Sequence, residues 1–154
     1  MLSSFLGQVL EENPMSADNH AQRYVDAINR GDVDGLAALY AADAVMYDPM
    51  SPEPVKGRDA IAATFAAFKQ AIPDMHWRLV APAFGDDRRV AFEVEVTGVN
   101  SGTLSTPDGE LPPTHNEIAL TMALIETLDA DRLIVEERAY FDATGFAVRL
   151  GVTG

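Results

Sequence analysis

The sequence predicts an α+β fold, a cone-shaped α+β barrel in which three N-terminal helices pack on a curved antiparallel or mixed sheet and leave an apolar pocket open at one end. Apolar residues recur with the helical period of 3.6 as far as Pro73 and with a period of two after it. With 154 residues and 47% apolar content, the chain can build one core but is short for two. We therefore expect a helical N-terminal extension over 1–15 and a single domain over 16–154.

Three helices are predicted in the first half of the domain. The first begins at Ser16, a residue type that caps helix N-termini, and ends at Gly31. Asp32 caps a second helix that runs as far as Tyr40, and a third spans Asp59 to Ile72. The apolar stripes of these helices consist of Ala21, Tyr24, Val25, Ile28, Val33, Leu36, Ala37, Tyr40, Ile61, Phe65, Phe68 and Ile72.

The second half of the chain reads as antiparallel strands with one buried face. Alternating apolar residues mark two strands on either side of a turn at 85–87, namely Met75, Trp77 and Leu79, then Val90, Phe92, Val94 and Val96. A long connection over 100–114 leads to a strand from Asn116 to Thr127. A turn at Asp129 leads to the last strand, Leu133 to Phe141, and a short helix from Thr144 to Leu150 closes the chain.

Composition excludes several classes of function. A formal net charge of −13 disfavours nucleic acid and anionic membranes, because binding to these depends on clustered Lys and Arg. The chain has no cysteine, and its three histidines, His20, His76 and His115, lack the spacing of metal ligands. No apolar run approaches the roughly 20 residues that span a bilayer, and the first segment lacks signal-peptide features. We expect a cytoplasmic protein that uses neither metal nor cofactor.

Asp48 is the first candidate for chemistry. It follows a short predicted strand, Ala44 to Tyr47, and precedes a proline-rich turn that begins at Pro49. Two interpretations are open. Asp48 either tightens this turn, as Asp commonly does before Pro, or faces the apolar pocket, where burial would raise its pKa and suit it to proton transfer between carbon atoms.

Glu137 is the second candidate, because it breaks the pattern of the last strand. It shares its parity with apolar Val135, Ala139 and Phe141, so one carboxylate falls on the apolar face. The alternatives without chemistry are a bulge that turns Glu137 to solvent or a pairing with a buried Arg. The other face of the sheet carries an apolar patch, which predicts a homodimer and consists of Ala123, Ile125, Ile134 and Tyr140.

Tyr24 and Tyr40 lie on inward stripes, where core packing explains both, but a buried hydroxyl still needs a partner. Beside a carboxylate base, such a hydroxyl could donate to an enolate oxygen. We expect the pocket to be lined by Tyr40, Met46, Phe65, Met75, Trp77, Phe92, Val94, Leu120, Met122, Leu124 and Phe141.

The stretch from Arg23 to Phe65 resembles bacterial ketosteroid isomerases of the nuclear transport factor 2-like superfamily. The matching phrases are RYVDAINRGD, LYAADAVMYDP and GRDAIAATF. The resemblance implies that Asp48 is the catalytic base, Tyr24 the oxyanion-hole tyrosine and Tyr40 a tyrosine behind it, because such isomerases pair an Asp base with a Tyr and a protonated Asp. That protonated Asp would fall near Leu124, which cannot donate a hydrogen bond, and another pocket tyrosine falls on Phe65.

The second half of the chain is similar to SnoaL-like polyketide cyclases, through IPDMHW, TGVNSGT with LPPT, and YFDATGFAVRLG. In that family an acid on the last strand would fall near Glu137, which we expect to lie across the hairpin from Leu124. Three functions stay open. The first is proton transfer on a hydrophobic polycyclic or aromatic carbonyl compound, with Asp48 as base. The others are an aldol-type cyclase or lyase that acts through Glu137, and a binding protein without catalysis.

Overall fold

The first helix of the domain begins and ends at the residues that the sequence predicts, and the second begins at its predicted cap. In the computed structural model, which describes residues 16–152, the Ser16 side chain accepts a hydrogen bond from the Asn19 amide at 3.0 Å. Gly31 ends the same helix in the left-handed conformation, at φ 66°, where glycine carries no steric penalty. Asp32 caps the next helix through the Gly35 amide at 2.9 Å. The predicted helix over 1–15 lies outside the described residues.

Four helices and nine strands make up the described chain. The helices are α1 (Ala17–Arg30), α2 (Val33–Ala37), α3 (Arg58–Ala71) and α4 (Ala143–Arg149). The strands are β1 (Tyr40–Tyr47), β2 (Val55–Lys56), β3 (His76–Leu79), β4 (Phe84–Gly85), β5 (Arg89–Val99), β6 (Leu104–Thr106), β7 (Gly109–Leu111), β8 (Glu117–Leu128) and β9 (Ile134–Tyr140). The predicted α+β class is confirmed, with α1, α2 and α3 ahead of most of the sheet.

The main sheet is mixed and has the strand order β2-β1-β9-β8-β5-β3, with β4 paired to β5. Only β1 and β9 run parallel; the other neighbouring pairs in this sheet are antiparallel. The first strand of the described chain thus lies beside the last one. This pairing brings the end of β1, where Asp48 follows, next to Glu137 on β9.

Tyr40 is placed differently from the prediction. It begins β1 instead of ending α2, which stops at Ala37 after a single turn. The Leu39 carbonyl accepts a hydrogen bond from the Ile134 amide at 2.9 Å, and this bond draws the chain into the parallel pairing with β9. Tyr40 still points inward and is fully buried, because the sheet hydrogen bonds override the helical pattern without changing the buried side.

Ile134 was expected in the exposed apolar patch, and this prediction is wrong, since its side chain is 0% exposed. The β8–β9 register shifts at the hairpin end: Leu128 pairs with Ile134, but Thr127 pairs with Glu136. Val135 is an extra, unpaired residue on β9. It therefore reverses the alternation of inward and outward side chains, so odd and even positions exchange sides after it. Ile134 and Glu137 therefore both point into the core.

The core lies between the helices and the inner face of the main sheet. It contains an aromatic group centred on Tyr24, whose ring centre lies 5.5 Å from that of Phe92 and 6.0 Å from that of Trp77. The connection after β5 holds a small hairpin of β6 and β7 that the sequence pattern did not indicate. Within residues 16–152, none of the helices is both long and apolar enough to cross a membrane.

Candidate active site

A cavity lies between α3 and the inner face of the sheet, and its walls are apolar or aromatic except for two carboxyl groups and one hydroxyl. The empty space in the cavity and at its mouth is about 550 Å³, a figure that includes open solvent. The carboxyl groups belong to Asp48 and Glu137. The other described residues that line it are Met46, Thr64, Phe65, Phe68, Met75, Trp77, Val96, Leu120, Met122, Leu124, Ala139, Phe141 and Phe146.

Asp48 combines the two interpretations that the sequence left open. Its Oδ1 accepts a hydrogen bond from the Met50 amide at 2.7 Å, which tightens the turn after β1. The same side chain lines the cavity and is half-buried. Burial raises the pKa of Asp48 above its ordinary value, and the Met50 hydrogen bond opposes this shift only in part. The turn therefore holds one carboxyl oxygen while the group faces apolar surroundings.

Glu137 lies on the cavity wall with no exposed surface. In the parallel pair its backbone is opposite that of Met46. Asp48 follows the end of β1, two residues after Met46, and lines the same cavity. Burial raises the pKa of Glu137 well above its ordinary value, and the nearby charge of Glu126 raises it further. Both effects favour the protonated form of Glu137, which can donate a proton.

Two tyrosine hydroxyls hold the Glu137 carboxyl. The Tyr40 hydroxyl lies 2.9 Å from Oε1 and 3.0 Å from Oε2, and the Tyr24 hydroxyl donates to Oε1 at 3.2 Å. The two hydroxyls are 3.1 Å apart. Burial, followed by the charge of Glu137, raises the pKa of both tyrosines, so they remain protonated donors. Both side chains are fully buried behind the residues that line the cavity.

Most of the predicted lining is found on the cavity wall, but three residues are not. Tyr40, Phe92 and Val94 are buried in the core behind it, because the inner face of the sheet is wider than the cavity that it borders. Residues on α3 and α4 take their place, among them Phe68 and Phe146, whose ring centres are 5.6 Å apart. The contact of Phe146 with Phe68 could not be inferred from the sequence, because α4 has only seven residues and shows no clear apolar period.

The expected pairing of Glu137 with Leu124 is wrong. Leu124 pairs with Ala139, and Glu137 pairs with Glu126. The pairing of Leu128 with Ile134 at the turn already displaces the expected register by one residue, and the bulge at Val135 displaces it by one more. Glu126 was missed, although it shares the parity of Met122 and Leu124 on β8 and is a carboxylate on an apolar face, the same signal that identified Glu137.

His20 was also missed as a buried residue. It lies one helical turn before Tyr24 on the inward stripe of α1, and its ring is 1% exposed. Its Nε2 lies 2.6 Å from Oε1 of Glu126. Burial, together with the charges of Arg23 and Arg132, lowers the pKa of His20 to about 4, so its imidazole is neutral near pH 7. His76 and His115 are exposed.

The arrangement offers acid–base chemistry. Asp48 has a raised pKa, so its carboxylate is a stronger base than that of an ordinary Asp. A protonated Glu137 on the same cavity can donate a hydrogen bond to a developing oxyanion. Between residues 16 and 152, His, Asp and Glu form no group of three or more that could hold a metal ion.

Comparison with known proteins gives one family. The model of the SnoaL-like domain matches residues 21–137. The epoxide hydrolase LasB of Streptomyces lasalocidi is 32% identical over 125 residues, which cover 80% of this chain and 40% of LasB. The chain thus spans well under half the length of that relative. The steroid Delta-isomerase of Nocardioides simplex is 31% identical over 129 residues, which cover 82% of this chain and 92% of the isomerase.

Among solved structures, a protein of Jannaschia sp. CCS1 described as a SnoaL-like polyketide cyclase superposes with a TM-score of 0.74. The match covers 93% of this chain and 98% of the other, at 17% sequence identity. An identity this low shows a shared fold and carries no information about the reaction.

Proposed function

This chain belongs to the SnoaL-like domain family, and from that premise we propose that it catalyses proton transfer on a hydrophobic polycyclic or aromatic carbonyl compound without a cofactor. The resemblance inferred from the sequence, to SnoaL-like and nuclear transport factor 2-like proteins, is confirmed at the level of family and fold. A relative named as a steroid isomerase, matched over 92% of its length, supports an isomerase-like reaction.

The observation that carries the proposal is the pair of carboxyl groups, Asp48 and Glu137, in one otherwise apolar cavity. The ionised Asp48 removes a proton from the carbon next to the carbonyl. The electrons of that C–H bond form the enolate, and negative charge develops on the carbonyl oxygen. Glu137, protonated, donates to this oxygen, and Asp48 returns its proton to the carbon further along the double-bond system.

Tyr24 has a supporting role in this proposal. The sequence predicts Tyr24 as a direct donor to the enolate, but its hydroxyl is already bound to Glu137 at 3.2 Å, behind the cavity wall. We propose that Tyr24 and Tyr40 orient the Glu137 carboxyl, and that Glu137 supplies the acid that Leu124 cannot.

A second candidate is ring closure or bond cleavage in which Glu137 dominates, either as an aldol cyclase or lyase or by opening an epoxide. The match to LasB, named as an epoxide hydrolase, favours this candidate. The same two carboxyl groups would serve: Asp48 would take a proton from a hydroxyl nucleophile, and Glu137 would protonate the oxygen of the breaking C–O bond.

Two substitutions on two substrates separate the candidates. With a β,γ-unsaturated ketosteroid, we expect Asp48→Asn to lower kcat by about 10²–10⁴-fold and Glu137→Gln to lower it less. With a hydroxy-epoxide, the larger loss in Glu137→Gln would favour the second candidate. Asp43→Asn, an exposed aspartate on β1, is the matched control. If the wild-type protein binds these compounds but turns over none of them, it is a binding protein and the proposal fails.

A further inference from the structure

Three ionisable side chains lie behind Glu137 and take no part in the proposed reaction: His20, Glu126 and Arg132. We propose that His20 and Glu126 form a positioning pair that keeps the Glu137 carboxyl protonated and directed toward the cavity. The inference deepens the proposed function, since it rests on Glu137 acting as the acid.

The pair is built into the fold. Glu126 is the register partner of Glu137 across β8 and β9, and His20 on α1 meets Glu126 at 2.6 Å between Nε2 and Oε1. The exposed fractions of His20, Glu126 and Glu137 are 1%, 0% and 0%. The three groups therefore form a continuous buried row from the helix to the cavity wall.

The 2.6 Å contact between His20 and Glu126 favours the negative charge on Glu126 over a charge on Glu137. Two neighbouring carboxyl groups in a buried site do not both ionise at neutral pH, because each charge disfavours the other. Burial raises the pKa of Glu126 to about 7, and a hydrogen bond with the Glu137 carboxyl opposes this shift. Burial and the charge of Glu126 raise the pKa of Glu137 well above its ordinary value. In the tautomer protonated on Nε2, the neutral imidazole donates to Glu126 and stabilises a negative charge there. Glu126 thus takes the negative charge, and Glu137 keeps its proton.

Arg132 lies close enough to the row to act on His20. The guanidinium nitrogens of Arg132, in the β8–β9 turn, are buried without a hydrogen-bond partner among the described residues, and the charge of Arg132 opposes protonation of His20. His20 Nδ1 and Glu126 Oε2 also lack a described partner. The ionisable or charged groups around Glu137 are Tyr24 and His20 from α1, Tyr40 from β1, Asp48 after β1, Glu126 from β8 and Arg132 from the turn.

The tyrosines oppose the pair. Hydrogen bonds from Tyr24 and Tyr40 favour the ionised form of Glu137, whereas burial and the charge of Glu126 favour the protonated form. Burial and Glu126 together outweigh the two hydrogen bonds. Without the charge of Glu126, burial alone would oppose the tyrosine hydrogen bonds, and the pKa of Glu137 would be lower.

The direct test is an NMR titration of the full chain with ¹³C-labelled glutamate carboxyl groups, in which loss of a signal in Glu137→Gln assigns Glu137. We expect Glu126→Gln, which removes the charge and keeps the shape, to lower the pKa of Glu137 by about one unit or more. Glu110→Gln, an exposed glutamate in the β6–β7 hairpin, should leave it unchanged. An unchanged Glu137 pKa in folded Glu126→Gln overturns the inference.

A second variant guards against a Glu126→Gln protein that does not fold. His20→Leu removes the donor to Glu126, so Glu137, which keeps its two tyrosine donors, should ionise before Glu126. If Glu126 still ionises first in His20→Leu, the pair does not set the order and the inference is wrong.

The titration needs no substrate, so its result is independent of the proposed reaction. In turnover assays, Glu126→Gln should move the alkaline limb of the kcat/KM profile to lower pH, and Glu126→Asp, which keeps the charge, should restore part of the shift. A merely structural role would lower kcat/KM equally at every pH and overturn the inference. A lowered Glu137 pKa without any turnover would support the pair and reject the proposed function.

Discussion

The hydroxyl of Tyr40 lies within 3.0 Å of both carboxyl oxygens of Glu137, so a residue at the start of the first strand holds a residue on the last. The parallel pairing of β1 with β9 makes this contact possible. Because both groups are fully buried, water cannot replace the bond if either partner is lost. The same contact therefore stabilises the fold and orients the carboxyl group of Glu137, the proposed acid.

Removing the Tyr40 hydroxyl should be costly. In Tyr40→Phe, the Glu137 carboxyl keeps only the weaker Tyr24 bond, and a partly unsatisfied buried acceptor typically costs about 1–3 kcal/mol. Urea denaturation at pH 7 measures this as a lower midpoint with an unchanged slope. Tyr47→Phe is the matched control, because Tyr47 is 36% exposed and its change should stay within about 0.5 kcal/mol. Equal effects of the two substitutions would contradict the account.

Stability should fall as the pH rises above 4.5 and through the raised folded-state pKa of Glu137. Glu137 binds its proton more tightly in the folded state than in the unfolded state, where its pKa is near 4.5, so the folded state holds more protons over this range. The free energy of unfolding then decreases by up to about 1.4 kcal/mol per pH unit for that proton. His20 acts with the opposite sign, but only between about 4 and 6.5.

Urea midpoints of the wild-type protein and of Glu137→Gln, measured at intervals from pH 7 to 9, test this dependence. The wild-type midpoint should decline, and the Glu137→Gln midpoint should decline less, because glutamine has no proton to lose. Parallel curves for the two proteins would show that Glu137 is already ionised at pH 7.

The fold could be predicted from the sequence because its signals are local. Ser16, Gly31 and Asp32 cap helices by contacts within three residues, and the change of period after Pro73 marks the sheet. The position of Tyr40 could not be predicted in this way, since the hydrogen bond at Leu39 that starts β1 comes from the last strand of the sheet. Local periodicity contains no information about that partner.

The site was predictable only in part, for a similar reason. Asp48 and Glu137 were visible as a carboxylate after a strand and a carboxylate on an apolar face, and the structure places both on one cavity. Their neighbours depend on register, which a bulge at Val135 shifts by one residue. A bulge of this kind leaves almost no mark in the sequence, so the pairing of Glu137 with Glu126 and the contact with His20 are visible only in three dimensions.

Filling the cavity should abolish ligand binding while preserving the fold. Ala139→Phe places a ring against the cavity wall, at a cost of about 1–3 kcal/mol from overpacking. Binding of a ketosteroid can be followed by the fluorescence of Trp77, the single tryptophan, which lines the same cavity. Ala63→Phe, an exposed position on α3, should bind as the wild type does. Unchanged affinity in Ala139→Phe would place the ligand elsewhere.

We propose that the chain forms a homodimer through the outer face of the sheet. Tyr140 is 53% exposed there, with Ala123 and Ile125 half-buried beside it in the register of β8 and β9. Light scattering at micromolar concentration should give twice the chain mass of 16.6 kDa, and Tyr140→Arg should shift it toward the monomer. Val148→Arg, at an exposed position on α4, should have no effect. A monomeric wild-type protein would contradict the proposal.

The most direct measurement is the exchange of the α-protons of a bound enolisable ketone with deuterium, followed by NMR in D₂O. Exchange needs only the proposed base and an enolate, whatever product the enzyme forms from it. The wild-type protein should accelerate exchange, and Asp48→Asn should reduce the acceleration by about 10²–10⁴-fold, whereas Asp43→Asn should not change it. Exchange at the wild-type rate in Asp48→Asn that still binds the ketone would contradict the assignment of Asp48 as the base.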